Sequence, residues 1–405
     1  MNTDQKIIEQ QPFFCKAPFH GIEITPQGET RICCKMPSVA IKDEQEIAFK
    51  VNDTKMSDIW NSRWLNNFRQ KFINGEQPTE CKMCWDDEAA GITSYRKQLS
   101  GCEVDIDSPS LGLLVLKLSN KCNCACRICS FWLSSLWQSE LIKTNRWDNK
   151  FDYFVIDNER DKINDDNWED FKKAFNNLQQ ILIYGGEPLI NFEVLKILNY
   201  LVDNGLSKNI NLGLNTNGTV TNPEIFNLLS QFKEVNLYFS IDDIGDRYDY
   251  QRWPAKHANI FQDLRELHKT YERTNVNICL YSTISIFNIF NLDEILDEFS
   301  TFPKFKINLD NIIHDPSLLA PYNLPEEIKP ELLSILDSIE WKGRNWDNNS
   351  DYLTNIKNFV NLYKSPYTRD DYINRLDDLL YVDDVRRKQD WRTTFPVLYE
   401  MLTRQ

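Results

Sequence analysis

The chain has no apolar run long enough to cross a bilayer. Nothing in it approaches the roughly 20 residues a spanning helix needs, and its start, MNTDQKIIEQ, has neither the basic opening nor the apolar core of a secretory signal. The expectation is a cytoplasmic protein without a membrane partner. Positive charge is also short: 46 Lys and Arg face 60 Asp and Glu, a formal net charge of −14. Such a chain gains little from phosphate backbones, so nucleic acid is not an expected partner. Histidine is scarce, with four in the chain, which leaves few imidazoles for a metal. Solenoid-period repeats and low-complexity tracts are absent.

What is present is a globular composition. The 405 residues, 41 % hydrophobic and 12 % aromatic, allow two or three domains around a large core. There are 11 cysteines, an odd number, mostly in short-spaced clusters. In a reducing compartment that pattern favours metal binding over disulfides.

Three regions follow from the patterning. Residues 1–100 hold Cys15, Cys33, Cys34, Cys81 and Cys84. Within them Gly21 to Cys34 reads as a hairpin turning at Pro26-Gln27-Gly28, and a helix capped by Ser57 or Asp58 runs through Ile73. Residues 101–312 alternate strands and helices, as a parallel sheet of βαβ units does. The strands are read at Leu113–Leu118, Ile181–Tyr184, Ile210–Leu214, Val235–Ile241, Val276–Ile286 and Phe305–Ile307 with Ile312. Trp147–Asp166 is polar and reads as an insertion or loop. Residues 313–405 are helical, with helices opening at Pro325-Glu326-Glu327 and spanning Thr368–Leu380, and no evident chemistry.

After the first of these strands comes LKLSNKCNCACRIC, with Cys122, Cys126 and Cys129 at C-x3-C-x2-C. A loop there lies at a strand's carboxyl end, where α/β active sites gather. Three thiolates hold three irons of a cubane and leave the fourth iron open to a chelating ligand. A zinc knuckle or a plain Fe–S carrier fits the same residues, but zinc wants a fourth ligand. Cys124 is near in sequence and is expected to face away.

The strand-borne C-x3-C-x-Φ-C motif, with Ile128 at Φ, resembles that of the radical S-adenosylmethionine (SAM) superfamily. Gly185-Gly186-Glu187-Pro188 after the second strand resembles the family's Gly-Gly-Glu motif. The resemblance implies a partial (β/α)6 TIM-type barrel, with a small N-terminal hairpin/helix domain and a C-terminal helical extension. It also implies that the Gly-Gly-Glu backbone approaches the SAM amino group. Asn215 in the third-strand turn, Ser240 and Asp242 after the fourth strand, Arg252 in the Tyr/Arg/Pro run, and Ser285 and Asn288 near the fifth are implied SAM-site residues. For these polar residues turn chemistry and helix capping stay open. Asp242 is also a catalytic candidate. Cys279, in an apolar strand, reads as a small core residue; it and Cys102 are also candidate hydrogen-atom donors.

Cys15 and Cys33 with Gly28 at C-x12-G-x4-C, followed by Cys81-x2-Cys84, resemble the SPASM/twitch auxiliary-cluster module. Here the module precedes the barrel instead of following it, and lacks the cysteines of a second auxiliary cluster. One four-thiolate [4Fe–4S] cluster is implied, with structural zinc as the alternative. Cys34 could replace Cys33, though the spacing prefers Cys33. The resemblance implies reductive cleavage of SAM to a 5′-deoxyadenosyl radical that abstracts hydrogen from a substrate C–H bond. A flavodoxin or ferredoxin would supply the electron. Three functions remain in view: modification of a peptide or protein, such as a ribosomally made precursor presented by a recognition protein; modification of a sugar, nucleoside or other small molecule; and a non-catalytic Fe–S or zinc module.

Overall fold

The computed structural model describes residues 7–36, 38–148, 163, 165–271, 274–302, 305–340 and 351–404. Most of the expected insertion at 147–166 lies outside the described residues. Among the described residues eight strands are formed: β1 (Gly21–Ile24), β2 (Thr30–Arg31), β3 (Leu113–Leu116), β4 (Gln180–Ile183), β5 (Asn211–Thr216), β6 (Glu234–Ser240), β7 (Val276–Tyr281) and β8 (Lys306–Asn308). They follow one another in the order β2-β1-β3-β4-β5-β6-β7-β8. β1 and β2 pair antiparallel, while β1 with β3, β3 with β4, β4 with β5, and β7 with β8 pair parallel. This is the α/β, parallel-sheet class expected, with a helical C-terminal part.

The chain divides into two compact units. The first is Met1–Cys122, Gln138–Asn215 and Asn222–Asn236; the second is Asn123–Trp137, Thr216–Thr221 and Leu237–Gln405. In the first, the hairpin turns at Gly28, whose φ of 79° suits a residue without a β-carbon. Its strand β1 then joins the main sheet beside β3, with Glu23 opposite Val115 and Ile24 opposite Leu116. Helix Phe192–Asp203 buries Val194, Ile197, Leu198 and Leu201, the one-face spacing of an amphipathic helix, and Asn191 caps it by accepting from the Glu193 amide at 2.9 Å. The helix expected through Ile73 is broken in two, Met56–Trp60 and Arg63–Ile73, because Ser62 makes a fresh N-cap to the Leu65 amide.

In the second unit the sixth strand of the sequence reading is β8, extended by an isolated parallel bridge between Ile284 and Ile312. The helix expected to open at Pro325 begins at Lys329. The one expected over Thr368–Leu380 is capped by Thr368 and runs from Arg369 to Arg387, ending where Lys388 turns left-handed at φ 54°. Among the described residues no helix is long and apolar enough to cross a membrane.

Candidate functional site

In the first unit, Cys15, Cys33, Cys81 and Cys84 line one pocket whose walls include Phe68 and Phe72. Cys15 precedes the short helix Ala17–His20, Cys33 follows β2, Cys81 ends the turn Thr79–Cys81, and Cys84 sits in helix Lys82–Ala89. Burial pushes all four thiols up, Cys15 to about 12, and mutual repulsion adds to it: Cys84 acts on Cys15, and Cys15 on both Cys33 and Cys81. Four thiols that cannot ionise together in water-poor surroundings fit a cationic group, which would hold them as thiolates. Four cysteines can hold either a cubane iron–sulfur cluster or a tetrahedral zinc.

Cys34 does not line that cavity. Its surface is exposed, but it sits in a recess where desolvation and the Glu23 carboxylate push its thiol up to about 11, against Lys117. Glu23 is buried; one carboxylate oxygen takes the Lys117 ammonium at 3.1 Å and the other, Oε2, has no partner. Glu23 is in register with Val115 and Leu182, and Lys117 and Tyr184 lie two residues further on. Glu23, Lys117 and Tyr184 therefore share one sheet face at the strands' carboxyl ends. The sequence reading passed over this group because Glu23, between Ile22 and Ile24, looks like the solvent side of a hairpin.

The Gly185-Gly186-Glu187 turn packs on the approach to Cys122. Gly185 and Gly186 have φ of 79° and 50°, and a β-carbon at Gly186 would lie 2.4 Å from the Lys121 carbonyl oxygen. The Glu187 amide donates to that carbonyl at 2.8 Å, and its buried carboxylate accepts from the Leu189 amide at 3.1 Å as Pro188 opens a short turn. The glycines thus serve the contact with Lys121. Asn215, in β5, has a buried Oδ1 without a partner.

In the second unit Cys124 does not face away from Cys126, as the sequence reading expected. Its thiol hydrogen-bonds Cys126, and Asn217 Nδ2 reaches its sulfur at 3.3 Å. That hydrogen bond holds the Cys126 thiol below its ordinary value; burial opposes it and Arg252 assists. A thiol disposed to ionise beside a guanidinium fits an iron ligand. Asn217 also ties the turn to the loop through Asn123, at 2.8 Å. Cys129 follows in the same loop.

Asp242 is fully buried with both oxygens engaged: Oδ2 accepts from Arg252 Nε at 2.6 Å and Oδ1 from the Thr283 amide at 2.9 Å. Burial works against the charge of Arg252, but Asp242 and Cys126 outweigh it and hold its pKa up. Asn288 donates to the carbonyls of Asp242 and Thr283, both at 2.8 Å, and its Oδ1 accepts from the Ser285 amide. Asp242, Ser285 and Asn288 are thus engaged in holding backbone and Arg252. Ser240 is half-buried at the end of β6, and Cys279 is buried inside β7. Two carboxyls escaped the sequence reading. Asp243 is pushed up to about 7 by burial, against Arg247, and Asp310, just past β8, is raised by burial in a recess that leaves it accessible. Neither stands in a spacing pattern that would mark it.

The radical SAM superfamily model matches residues 116–300, and the SPASM model, an iron-sulfur cluster-binding domain, matches residues 15–85. A radical SAM domain thus occupies residues 116–300, with a SPASM domain ahead of it, and the chain is an enzyme. The two domains imply [4Fe–4S] clusters and SAM. A curated relative, the uncharacterized protein MJ0907 of Methanocaldococcus jannaschii, is 25% identical over 274 residues, 67% of this chain and 81% of that protein. Among solved structures, anSMEcpe with bound AdoMet and Cp18Cys peptide is 19% identical, with a TM-score of 0.38 over 56% of this chain and 59% of that one. Streptococcus suis SuiB bound to precursor peptide SuiA is 13% identical, with a TM-score of 0.32 over 87% of this chain and 60% of that one. The match thus spans about three-fifths of each of those two chains.

Proposed function

We propose that the enzyme modifies a peptide or protein at a C–H bond, with Cys122, Cys126 and Cys129 holding the SAM-binding cluster and Cys15, Cys33, Cys81 and Cys84 an auxiliary one. The observation that carries this reading is the four-cysteine cavity within the SPASM match, a module typical of peptide-modifying members of the superfamily. One-electron cleavage of SAM to a hydrogen-abstracting 5′-deoxyadenosyl radical is the chemistry these groups supply when bound. The chain's own residues orient and exclude water. Arg252, fixed by Asp242, keeps positive charge beside Cys126. Lys117 Nζ, held by Glu23 Oε1, presents a cationic donor, the complement of a peptide carbonyl.

The test is anaerobic. Reconstituted protein with dithionite and SAM should form 5′-deoxyadenosine, and Cys126→Ala should abolish it. A synthetic peptide pool should raise that yield above the uncoupled rate and gain a mass change. Stimulation by a nucleoside or sugar pool instead would replace the peptide reading with the small-molecule one.

A further inference from the structure

The C-terminal region, silent in the sequence, meets the cysteine loop at Arg127, between Cys126 and Cys129. The Arg127 side chain is 1 % exposed. Its Nη2 donates to Asp384 Oδ1 at 2.5 Å and to Gln389 Oε1 at 3.1 Å, Nη1 lies 3.8 Å from Asp383, and the guanidinium sits over the Tyr250 ring at 4.4 Å. The Asp384 carboxylate accepts two further hydrogen bonds, from the Tyr250 hydroxyl at 2.8 Å and the Trp391 amide at 3.1 Å, while Gln389 Nε2 donates to the carbonyl of Asp249 at 3.3 Å. The loop backbone is pinned to the same surroundings. The amides of Ala125 and Arg127 donate to the carbonyls of Trp253 and Gln251 at 2.8 and 2.7 Å, and the Trp137 indole donates to the Cys126 carbonyl at 2.8 Å. Arg387, one turn along the helix from Asp384, covers both Trp137 and Trp253.

A buried guanidinium is costly unless a carboxylate meets it. It also fixes geometry better than an apolar contact, because its planar fork accepts few orientations. Here the fork is held at one end by the C-terminal helix and belongs at the other to a residue flanked by two expected iron ligands. Outer partners of this kind set the orientation of first ligands.

We propose that Asp384 is a positioning residue for the SAM-binding cluster: through Arg127 it sets the placement of Cys126 and Cys129, so the C-terminal helix completes the active site instead of merely capping the fold. This rests on the assignment of those cysteines as cluster ligands. Asp384 itself touches no reacting atom.

The test uses the full-length, anaerobically reconstituted holoprotein. Wild type, Asp384→Asn, Tyr250→Phe and Asp377→Asn are compared by iron content and by the electron paramagnetic resonance (EPR) of the reduced clusters during titration with SAM. Asp377 is on the same helix and binds the Trp391 indole and Arg392. Asp384→Asn should weaken the SAM-induced spectral change at least about tenfold in SAM concentration, or drop iron from about eight per chain toward four. Tyr250→Phe, which removes one hydroxyl, should shift the titration in the same direction with iron intact. Asp377→Asn should titrate as wild type. Should Asp384→Asn fail to fold, Tyr250→Phe decides. The proposal is overturned if the Asp384 and Tyr250 variants titrate as wild type, or if Asp377→Asn shifts the titration as much as they do. A wild type with no SAM-responsive cluster would instead overturn the ligand assignment.

Discussion

Gly186 faces the backbone carbonyl of Lys121, one residue before Cys122, so closely that a β-carbon would stand 2.4 Å from the oxygen and 3.0 Å from its carbon. The obstacle is backbone, which cannot swing aside, and φ at Gly186 is positive as well. Replacing Gly186 with Ala should therefore cost well over the roughly 1 kcal/mol of a left-handed conformation alone. Gly205 supplies the control: φ is 68° there, but nothing lies within 4 Å of the place a β-carbon would take. Urea unfolding should show Gly205→Ala losing about 1 kcal/mol and Gly186→Ala at least twice that, with iron lost from the Gly186 variant alone. Equal losses would mean the Lys121 carbonyl yields.

The Asp242–Arg252 pair is the second lever. Asp242→Asn leaves a buried guanidinium without its counter-charge, and breaking one side of a buried pair costs about 3–5 kcal/mol. Replacing both residues, Asp242→Leu with Arg252→Met, removes the stranded charge and should be less harmful to stability than the single change. It should still impair the cysteine loop, because positive charge beside Cys126 is gone. Denaturation of the three variants, with iron content measured on each, separates stability from cluster support. A double variant less stable than the single one would show the pair to be held by packing.

Much of this was legible in the sequence, and the boundary has a physical cause. The strands from Leu113 to Asn308 announced themselves by short apolar runs, and the cysteines by spacing, since both signals are local. Parallel pairing of β1 with β3 joins residues about ninety apart in the chain and leaves no local trace, so the hairpin read as a separate element. Separations of 94 and 257 residues likewise hid the Glu23–Lys117 and Arg127–Asp384 pairs. Ser62 was overlooked because helical periodicity continues across it while a hydroxyl restarts the hydrogen bonding.

Asp243 makes stability depend on pH in a direction opposite to most paired carboxylates. It is fully buried and held up to about 7 from an ordinary 3.8. Between those values the folded chain keeps a proton the unfolded chain has released. Stability from this group is therefore greatest below the unfolded value and declines as pH rises toward 7, by at most about 4 kcal/mol. Asp243→Asn, neutral at every pH, should flatten that decline. Urea unfolding at pH 5 and pH 8 gives the slope for each protein. Parallel profiles would mean that Arg247 and Gln251 keep Asp243 ionised throughout.

The adjacent Cys33 and Cys34 offer the sharpest discrimination at the N-terminal cavity. Cys33 lines it with Cys15, Cys81 and Cys84, while Cys34 turns toward Glu23 and Lys117. Cys33→Ala should reduce iron from about eight to about four per chain, leaving the SAM-dependent EPR change and the uncoupled formation of 5′-deoxyadenosine in place. Cys34→Ala should keep all the iron. In the wild-type holoprotein Cys34 is the exposed member of the pair, so iodoacetamide at raised pH should modify it before Cys33. Iron lost from Cys34→Ala and kept in Cys33→Ala would exchange the two residues' roles.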